Sequence, residues 1–386
     1  MPFSGSTFTG PSGSTNAAPG QIVQSAVWNN INTDYATALT MLMSQLVSQI
    51  TNRNALWMNG GLEVWQRGAG SSASIAVAAA TTAYTADRWY LDTDATQASV
   101  VSAQTGLTTP SQLCARVLRN AAQTGTGAMY FAYPLDTDEI LRLRGAKVSF
   151  TAAVRAGANW SPASGTLTVN LFVGTGAVGK RGGTPYTSET TVLTIATNLT
   201  AGGAVTTITG SSSAVLPATA TQAELQFTWT PVGTAGAADY FEVDDVQLAS
   251  QLSASTWTPE NYDRVPFPEM LAGCKRHFQK TFPYGTAPAQ AVGSVSSALS
   301  AAGNATRRLM VNWELPIELR VTGTVTTYSP YTGATANWYD FTASASVAVS
   351  VDANGNGTKG VVIYSTTSGA GDNDICFIHA ITDAGI

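Results

Sequence analysis

The chain has 386 residues, of which 11% are charged and 44% hydrophobic, and its net charge is −5. Because an average globular protein is about 25% charged, uncharged polar residues must cover much of the surface, which is typical of extracellular β-proteins and virion proteins rather than of cytosolic enzymes. No run of Lys and Arg is longer than a pair such as Arg307-Arg308, which argues against a nucleic-acid partner.

Neither a secretion signal nor a membrane span is predicted. The N-terminal stretch MPFSGSTFTG lacks a basic segment followed by an apolar one, and residues 36–52 are too short and too polar to cross a bilayer. Cys114, Cys274 and Cys376 have no close spacing, so they predict neither a disulfide framework nor a zinc site. Each lies among apolar residues and is interpreted as a small buried hydrophobe. These features favour folding in a reducing cytoplasm.

The first two segments differ in composition. Residues 1–20 are rich in Ser, Thr, Gly and Pro and cannot bury enough apolar surface to fold alone, so we expect an extended arm that becomes ordered against a partner. Residues 21–54 place apolar side chains at helical spacing after the start signal Pro19-Gly20. The stripe consists of Ile31, Tyr35, Leu39, Leu42, Leu46 and Ile50.

The apolar stripe of this helix must be covered by a partner. A helix over residues 21–54 would be about 50 Å long at 1.5 Å per residue, and the sequence predicts no second helix of that length. We therefore predict a parallel bundle of three identical helices, which makes the protein a homotrimer. The alternative is that the helix packs on the β-domain of its own chain.

From residue 55 onward, short runs such as KVSFTAAV and YFEVDDVQLA alternate between apolar and polar residues, which predicts strands. We predict a mainly β chain with a jelly-roll β-sandwich over residues 55–258 and a smaller C-terminal β-sandwich over residues 291–386. Residues 259–290, which contain several prolines, are predicted to be a linker with one short helix starting near Pro268.

Several stretches together resemble tailed-bacteriophage fibre and appendage proteins. The first forty residues are similar to the N-terminal segment of such proteins, and NGGLEVWQRG followed by YTADRWYL resembles the opening of their jelly-roll, carbohydrate-binding-module-like domain. YFEVDDVQLAS and WTPENYDRVPFPEMLAGCKRHFQKTF resemble the last strand of that domain and its link to the next, while LPIELRVTGTVTTYSPYTG and ICFIHAITDAGI are similar to the C-terminal domain. The segment before the first β-domain is short and no long repetitive shaft follows it, so the resemblance implies a short fibre or spike.

The WQRG and TADRW motifs each place a tryptophan near an arginine. Their aromatic and cationic residues are Trp65, Arg67, Arg88 and Trp89. We predict that both tryptophans belong to the core, and that an arginine satisfies Asp87, Glu63 or backbone carbonyls near a sheet edge, or stacks on an indole face. The alternative is a ligand-binding site.

The sequence does not indicate catalysis. His277 and His379 lie outside any known nucleophile or metal motif, so we predict no catalytic residue and no enzyme activity. Hydrolysis of a glycan would need two carboxylates about 5 to 10 Å apart in a groove, and the acidic candidates lie in LDTDEI and in residues 239–245.

A structural calcium ion is the one cofactor considered. Glu242 and Asp244 share one face of a predicted strand and are its candidate ligands, with an exposed strand end as the alternative. The stretch VDANGNGTKG, residues 351–360, superficially matches a calcium loop but has Ile363 where the bidentate Glu is expected. It is interpreted as a hairpin turn.

The stretch TTYSPYTGATANWYD is the richest aromatic region of the chain. Aromatic faces stack on the C–H faces of sugars, while amides and carboxylates bond hydroxyl groups, so we predict a glycan-binding loop here. Its residues are Tyr328, Tyr331, Asn337, Trp338, Tyr339 and Asp340. The alternative is that these aromatics pack at a subunit interface or beneath the loop.

These features and the resemblance predict a structural virion protein, made in the host cytoplasm. Residues 1–20 would attach it to other virion proteins, and its β-domains would adhere to host cell-surface polysaccharide without membrane insertion. Two alternatives remain open: a polysaccharide depolymerase spike of the same shape, and a head or tail decoration or adaptor protein that binds no glycan.

Overall fold

The computed structural model describes eight parts of the chain. They are residues 33–42, 54–94, 96–251, 262–289, 295–303, 308–366, 371 and 373–385. The chain divides into two compact units, residues 1–53 and 54–386.

In the first unit the described residues form helix α1, residues 33–42. Three members of the predicted apolar stripe lie in α1, and Tyr35, Leu39 and Leu42 are 59–73% exposed. The other three, Ile31, Leu46 and Ile50, lie outside the described residues, as does the predicted arm. The trimeric bundle therefore stays a prediction.

Twelve strands and a short helix make up residues 54–251. The strands are β1 (Ser74–Val77), β2 (Thr82–Tyr84), β3 (Tyr90–Asp92), β4 (Ser99–Thr105), β5 (Leu113–Arg119), β6 (Met129–Pro134), β7 (Lys147–Ala156), β8 (Thr166–Thr175), β9 (Thr187–Asn198), β10 (Thr206–Ser211), β11 (Gln222–Trp229) and β12 (Tyr240–Gln251). Helix α2 spans Thr137–Leu141, and single 3-10 turns lie at Gly70–Ser72 and Ala163–Gly165.

These strands form two antiparallel sheets of six strands each. The first sheet has the order β1-β4-β5-β12-β7-β10 and the second has the order β2-β3-β6-β11-β8-β9. Successive side chains of a strand point to opposite faces, so each sheet contributes alternate residues to the shared core. Phe227 of β11 and Phe241 of β12 meet there with ring centroids 6.2 Å apart. The predicted mainly β, sandwich-like fold is confirmed.

Helix α3 (Phe267–Lys275) follows the sandwich, with Pro268 in its first turn, where a missing N–H leaves no hydrogen bond unmade. The described residues after α3 form eight strands: β13 (Phe278–Lys280), β14 (Leu299–Ala302), β15 (Met310–Glu314), β16 (Thr324–Tyr328), β17 (Asn337–Asp340), β18 (Ala345–Asn356), β19 (Gly360–Ser365) and β20 (Ile375–Asp383).

The eight C-terminal strands belong to one antiparallel sheet with the path β13-β20-β17-β18-β19-β15, and β14 and β16 also pair with β20. Strand β20 can serve four neighbours because its first half pairs with β14 and β17 and its second half with β13 and β16. Strand β13 lies inside the predicted linker, residues 259–290, and already belongs to this sheet. The predicted boundaries at residues 258 and 291 stay predictions.

The three cysteines are buried and free, as the sequence predicts. Among the residues that the structure describes, every helix is too short or too polar to cross a bilayer.

Candidate functional site

The tryptophans of the paired motifs are core residues, as predicted. Trp65 and Trp89 are fully buried, and Trp89 stacks on Phe131 with ring centroids 4.9 Å apart. Both indole N–H groups donate to backbone carbonyls, Trp65 to Leu62 at 2.7 Å and Trp89 to Asn59 at 2.9 Å. Because the rings are covered and their polar atoms are engaged, neither can stack on a ligand.

Arg67 has a different partner from the predicted ones. Its guanidinium donates to both carboxylate oxygens of Asp383, at the end of β20. It also lies over the rings of Tyr84 and Phe278, at 4.4 and 4.3 Å from their centroids. The expected pairing with Asp87 or Glu63 and the stacking on indole are therefore wrong for Arg67. Its partner lies 316 residues away in sequence, on an element that a local pattern does not reveal.

Arg88 is buried with its ion-pair partner, and the side chains of Arg88 and Glu139 are 1% and 0% exposed. Its guanidinium donates to Glu139 Oε2 at 3.1 Å and to the Pro134 carbonyl at 2.8 Å, which bears out the expected backbone-carbonyl partner. Nη1 lies 3.1 Å from Nδ1 of His277, which follows α3. Arg67 and Arg88 therefore join the sandwich to the C-terminal part of the chain, and the two motifs form a structural clamp.

The predicted glycan-binding loop is divided by strand β17. Trp338 is fully buried in the C-terminal core and Asp340 is 1% exposed. Asp340 Oδ1 accepts hydrogen bonds from the backbone N–H groups of Thr342 and Ala343, both at 2.9 Å. The expectation that Trp338 and Asp340 face a ligand is wrong, because the two-residue period of a strand turns both of them inward.

Two further predicted residues make contacts with other residues of the chain. Tyr328 is 9% exposed and packs edge-on against Phe282, with ring centroids 5.8 Å apart. The side-chain amide of Asn337 donates to the Thr335 carbonyl at 2.7 Å. Tyr328 is therefore part of the core rather than of a binding face, while Asn337 stays half-buried at the surface.

An aromatic surface remains on the outward face of β17 and β20. The rings of Tyr331 and Tyr339 stack with centroids 4.3 Å apart, Phe341 lies 6.0 Å from Tyr331, and Phe377 lies 6.4 Å from Phe341. Phe341 is 54% exposed, and the other three are half-buried. These four residues, Tyr331, Tyr339, Phe341 and Phe377, are called the aromatic strip.

Polar and apolar groups border the aromatic strip. Tyr339 is paired in register with Ser346 of β18 and with Phe377 of β20, and Phe377 is paired with Ser300 of β14. Both serines are exposed, so hydroxyl groups lie on either side of the rings. Phe341 and Phe377 were not predicted from the sequence; the two-residue periodicity within NWYDF and within ICFIHA was the signal that could have found them.

The acidic clusters are engaged in internal contacts. Glu242 accepts from Arg116 at 2.6 Å and from Arg155 at 2.7 Å, so its oxygens, which a cation would need, are occupied by two guanidinium groups. Asp244 accepts from Leu107 N at 2.7 Å and from Ser111 Oγ at 2.9 Å. Burial, together with the charge of Asp245, raises the pKa of Asp244 to about 7.

Two further groups of candidates also make contacts within the protein. Asp136 and Glu139 form a capping box at the start of α2. Residues 351–360 comprise the end of β18, the connection at residues 357–359 and the first residue of β19, and Gly357 N donates to the Gly360 carbonyl at 2.9 Å across that connection, consistent with the predicted hairpin turn. Within the described ranges, no three His, Cys, Asp or Glu side chains are grouped so that they could hold a metal ion.

No protein-family model and no curated protein sequence matches the chain. Solved structures that match part of the chain include the enzymatically active domain of tailspike protein 4 from bacteriophage CBA120, at 12% identity and a TM-score of 0.29, over 51% of this chain and 21% of that one. A Clostridium thermocellum endo-1,4-β-D-xylanase with its CBM22-1 module matches at 13% identity and a TM-score of 0.26, over 51% of this chain and 28% of that one.

The CBM22-1 xylan-binding domain from Paenibacillus barcinonensis matches at 13% identity and a TM-score of 0.29, over 46% of this chain and 99% of that domain. The structural neighbours thus include a phage tailspike domain and carbohydrate-binding modules. The chain spans less than a third of the tailspike and xylanase structures.

Proposed function

We propose that the chain is a non-enzymatic saccharide-binding protein of a virion, a short fibre or spike that adheres to a host glycan through the aromatic strip. The observation that carries this is four neighbouring aromatic rings on one outward sheet face, bordered by exposed serines. A contiguous cluster of aromatic rings on the surface of a protein is typical of a binding site, whereas single exposed apolar residues are not.

The geometry of the strip fits a saccharide better than an apolar partner. Flat aromatic faces match the C–H faces of pyranose rings, and the hydroxyl groups of Ser300 and Ser346 beside Phe377 and Tyr339 supply hydrogen-bonding partners for sugar hydroxyls. Each stacking contact should contribute about 1 kcal/mol, by analogy with other aromatic contacts. A single strip would bind weakly, and several copies in one particle would bind with high avidity.

The virion assignment rests on the resemblance of the N-terminal and motif segments to tailed-phage fibres and on the exposed apolar face of α1. In the proposed arrangement, residues 1–20 attach the protein to other virion proteins and the stripe of α1 joins three copies. Asp136 and Glu139 of one acidic cluster form a helix cap and Glu242 of the other is held by two arginines, which is the reason that a depolymerase is not proposed.

The test uses the variant Tyr339→Ala/Phe341→Ala and the matched control Phe267→Ala, which removes a 39% exposed phenylalanine outside the strip. Purified proteins are applied to a glycan array, and affinities for the bound glycans are measured by calorimetry beside a thermal melt. Loss of two stacking contacts of about 1 kcal/mol each predicts a Kd that is about 30-fold weaker. The control should bind as the wild type does.

Two results would contradict the proposed function. One is a wild-type protein that binds no glycan on the array. The other is a double variant that keeps its melting temperature and the full wild-type affinity, because saccharide binding would then not involve the strip.

A further inference from the structure

The connection between β8 and β9 lies over the outer face of the second sheet. Residues 176–186, called the strap, are held there by backbone hydrogen bonds to side chains of the sheet. Arg181 N donates to Glu224 Oε2 at 2.8 Å, and Gly182 N donates to Tyr90 Oη at 2.8 Å. The Gly182 carbonyl accepts from Gln226 Nε2 at 2.8 Å. The strap therefore covers polar side chains on the face that a sandwich normally turns to water.

The residues beneath the strap are polar and not fully satisfied. Leu225 and Phe227 of β11 point into the core, so Glu224, Gln226 and Thr228 lie on the outer face. Glu224 and Gln226 are nevertheless fully buried. Within the described residues, Gln226 Oε1, Thr228 Oγ1 and Tyr84 Oη are buried without a hydrogen-bond partner. Buried polar atoms without partners are costly, and these three lie on one face of the sheet, within reach of hydrogen bonds from a polar ligand.

A cavity of about 360 Å³ opens beside the strap on this face. Its lining consists of Ala80, Asp92, Thr93, Asp94, Ala128 and Tyr130. Tyr130 is paired in register with Thr228 on one side and with Asp92 on the other, so these three side chains lie in one row. Gly183 N donates to Asp92 Oδ2 at 3.2 Å, which places the strap at the rim of the cavity.

The strap is attached by few apolar contacts. Four of its eleven residues are glycines, and most of its residues are exposed. Apart from Tyr186, which is 8% exposed, its side-chain anchors are cationic: Arg181 lies 3.7 Å from the ring centroid of Phe172 and pairs with Glu189, and Lys180 lies 4.6 Å from the ring centroid of Tyr84. Segments with little buried apolar surface open locally at low free-energy cost, whereas the sheet beneath is part of the core.

We propose that the strap covers a second saccharide-binding groove, which runs from the cavity at Asp92 and Tyr130 to Gln226 and Glu224, and that displacement of the strap admits a linear oligosaccharide. The tyrosine rings would stack on sugar faces, while the carboxylates and the unpartnered Gln226 Oε1 would accept hydrogen bonds from sugar hydroxyls. The proposal takes its ligand class from the proposed function, but it involves no residue of the aromatic strip.

The test removes the strap in a background where the strip is already disabled by Tyr339→Ala/Phe341→Ala. Thr175 and Thr187 are paired in register, so an Asn-Gly turn can replace residues 176–186 and close a two-residue hairpin. Binding is measured on an array of neutral and acidic oligosaccharides. We expect the shortened protein to bind oligosaccharides at least tenfold more tightly than its parent with the strap, and Tyr130→Ala to abolish the gain.

A second variant covers the case in which the shortened protein does not fold. Lys180→Ala/Arg181→Ala removes the cationic anchors of the strap without changing the sheet, and it should raise oligosaccharide affinity in the same background. If folded variants of either kind bind no better than the parent, or if the gain survives Tyr130→Ala, the groove is refuted.

The two proposals fail in distinguishable ways. If oligosaccharide binding is lost in the strip variant and does not return when the strap is removed, the proposed function stands and the groove is refuted. If oligosaccharide binding is retained in the strip variant but is lost in Tyr130→Ala, the role of the strip is refuted and the groove is supported.

Discussion

Replacement of Arg88 by Leu should destabilise the protein strongly, since it removes the centre of the clamp between the sandwich and the C-terminal sheet. Glu139, whose side chain is fully buried, would keep Tyr133 as its hydroxyl donor but lose its cation. Breaking a buried ion pair from one side costs about 3–5 kcal/mol, and the Pro134 carbonyl would lose a charged donor as well. The expected loss is therefore about 4 kcal/mol, a large part of a typical stability of about 5–15 kcal/mol.

Urea denaturation followed by tryptophan fluorescence measures this loss. The matched control is Arg116→Leu, because Glu242 then keeps Arg155 as a partner, and it should cost less than half as much. A double-mutant cycle of Arg88→Leu with Glu139→Gln should show a coupling of at least about 1 kcal/mol. A loss below about 1 kcal/mol for Arg88→Leu would refute the view that this buried ion pair and its contact with His277 contribute strongly to stability.

Three further predictions concern the core, a buried histidine and assembly. Trp338→Ala should lower the free energy of unfolding by about 3–5 kcal/mol, whereas Tyr339→Ala, which removes a half-buried ring stacked on Tyr331, should lower it by only about 1 kcal/mol, as urea denaturation would show. Burial and the charge of Arg88 lower the pKa of His277 to about 4, so NMR titration should find one of the two imidazoles still neutral at pH 5. Leu39→Asp/Leu46→Asp should yield monomers on sedimentation, because an unpaired charge would be buried in the bundle.

The sign of the histidine effect follows from its two pKa values. In the unfolded chain His277 titrates near its ordinary value of 6.5, and in the folded state near 4. Between these values the unfolded state binds more protons, so the contribution of His277 to stability is complete above pH 6.5 and is lost as the pH falls toward 4. A pKa of His277 near 6.5 in the folded protein would contradict the prediction for the histidine. Equal losses of stability for Trp338→Ala and Tyr339→Ala would contradict the prediction for the core. A Leu39→Asp/Leu46→Asp variant that remains trimeric would contradict the prediction for assembly.

Several features could be predicted from local patterns in the sequence. Alternation of apolar and polar residues predicted the sandwich-like β fold, because a strand that covers a core repeats every two residues. Burial of Trp65 and Trp89 was predicted from their apolar, strand-like setting, and the turn near Gly357 from its Asn-Gly chemistry. Each of these signals lies within about ten neighbouring residues.

The tertiary structure alone decided which residues meet. Arg67 finds Asp383 across 316 residues, and Phe377 joins Tyr339 because β20 pairs with β17. The loop that looked like one aromatic platform is split, since Trp338 and Tyr339 are neighbours in sequence but lie on opposite faces of β17. Local periodicity determines which face of a helix or strand is apolar, whereas strand order and packing determine which distant face it contacts. The clamp, the aromatic strip and the strap all depend on strand order and packing.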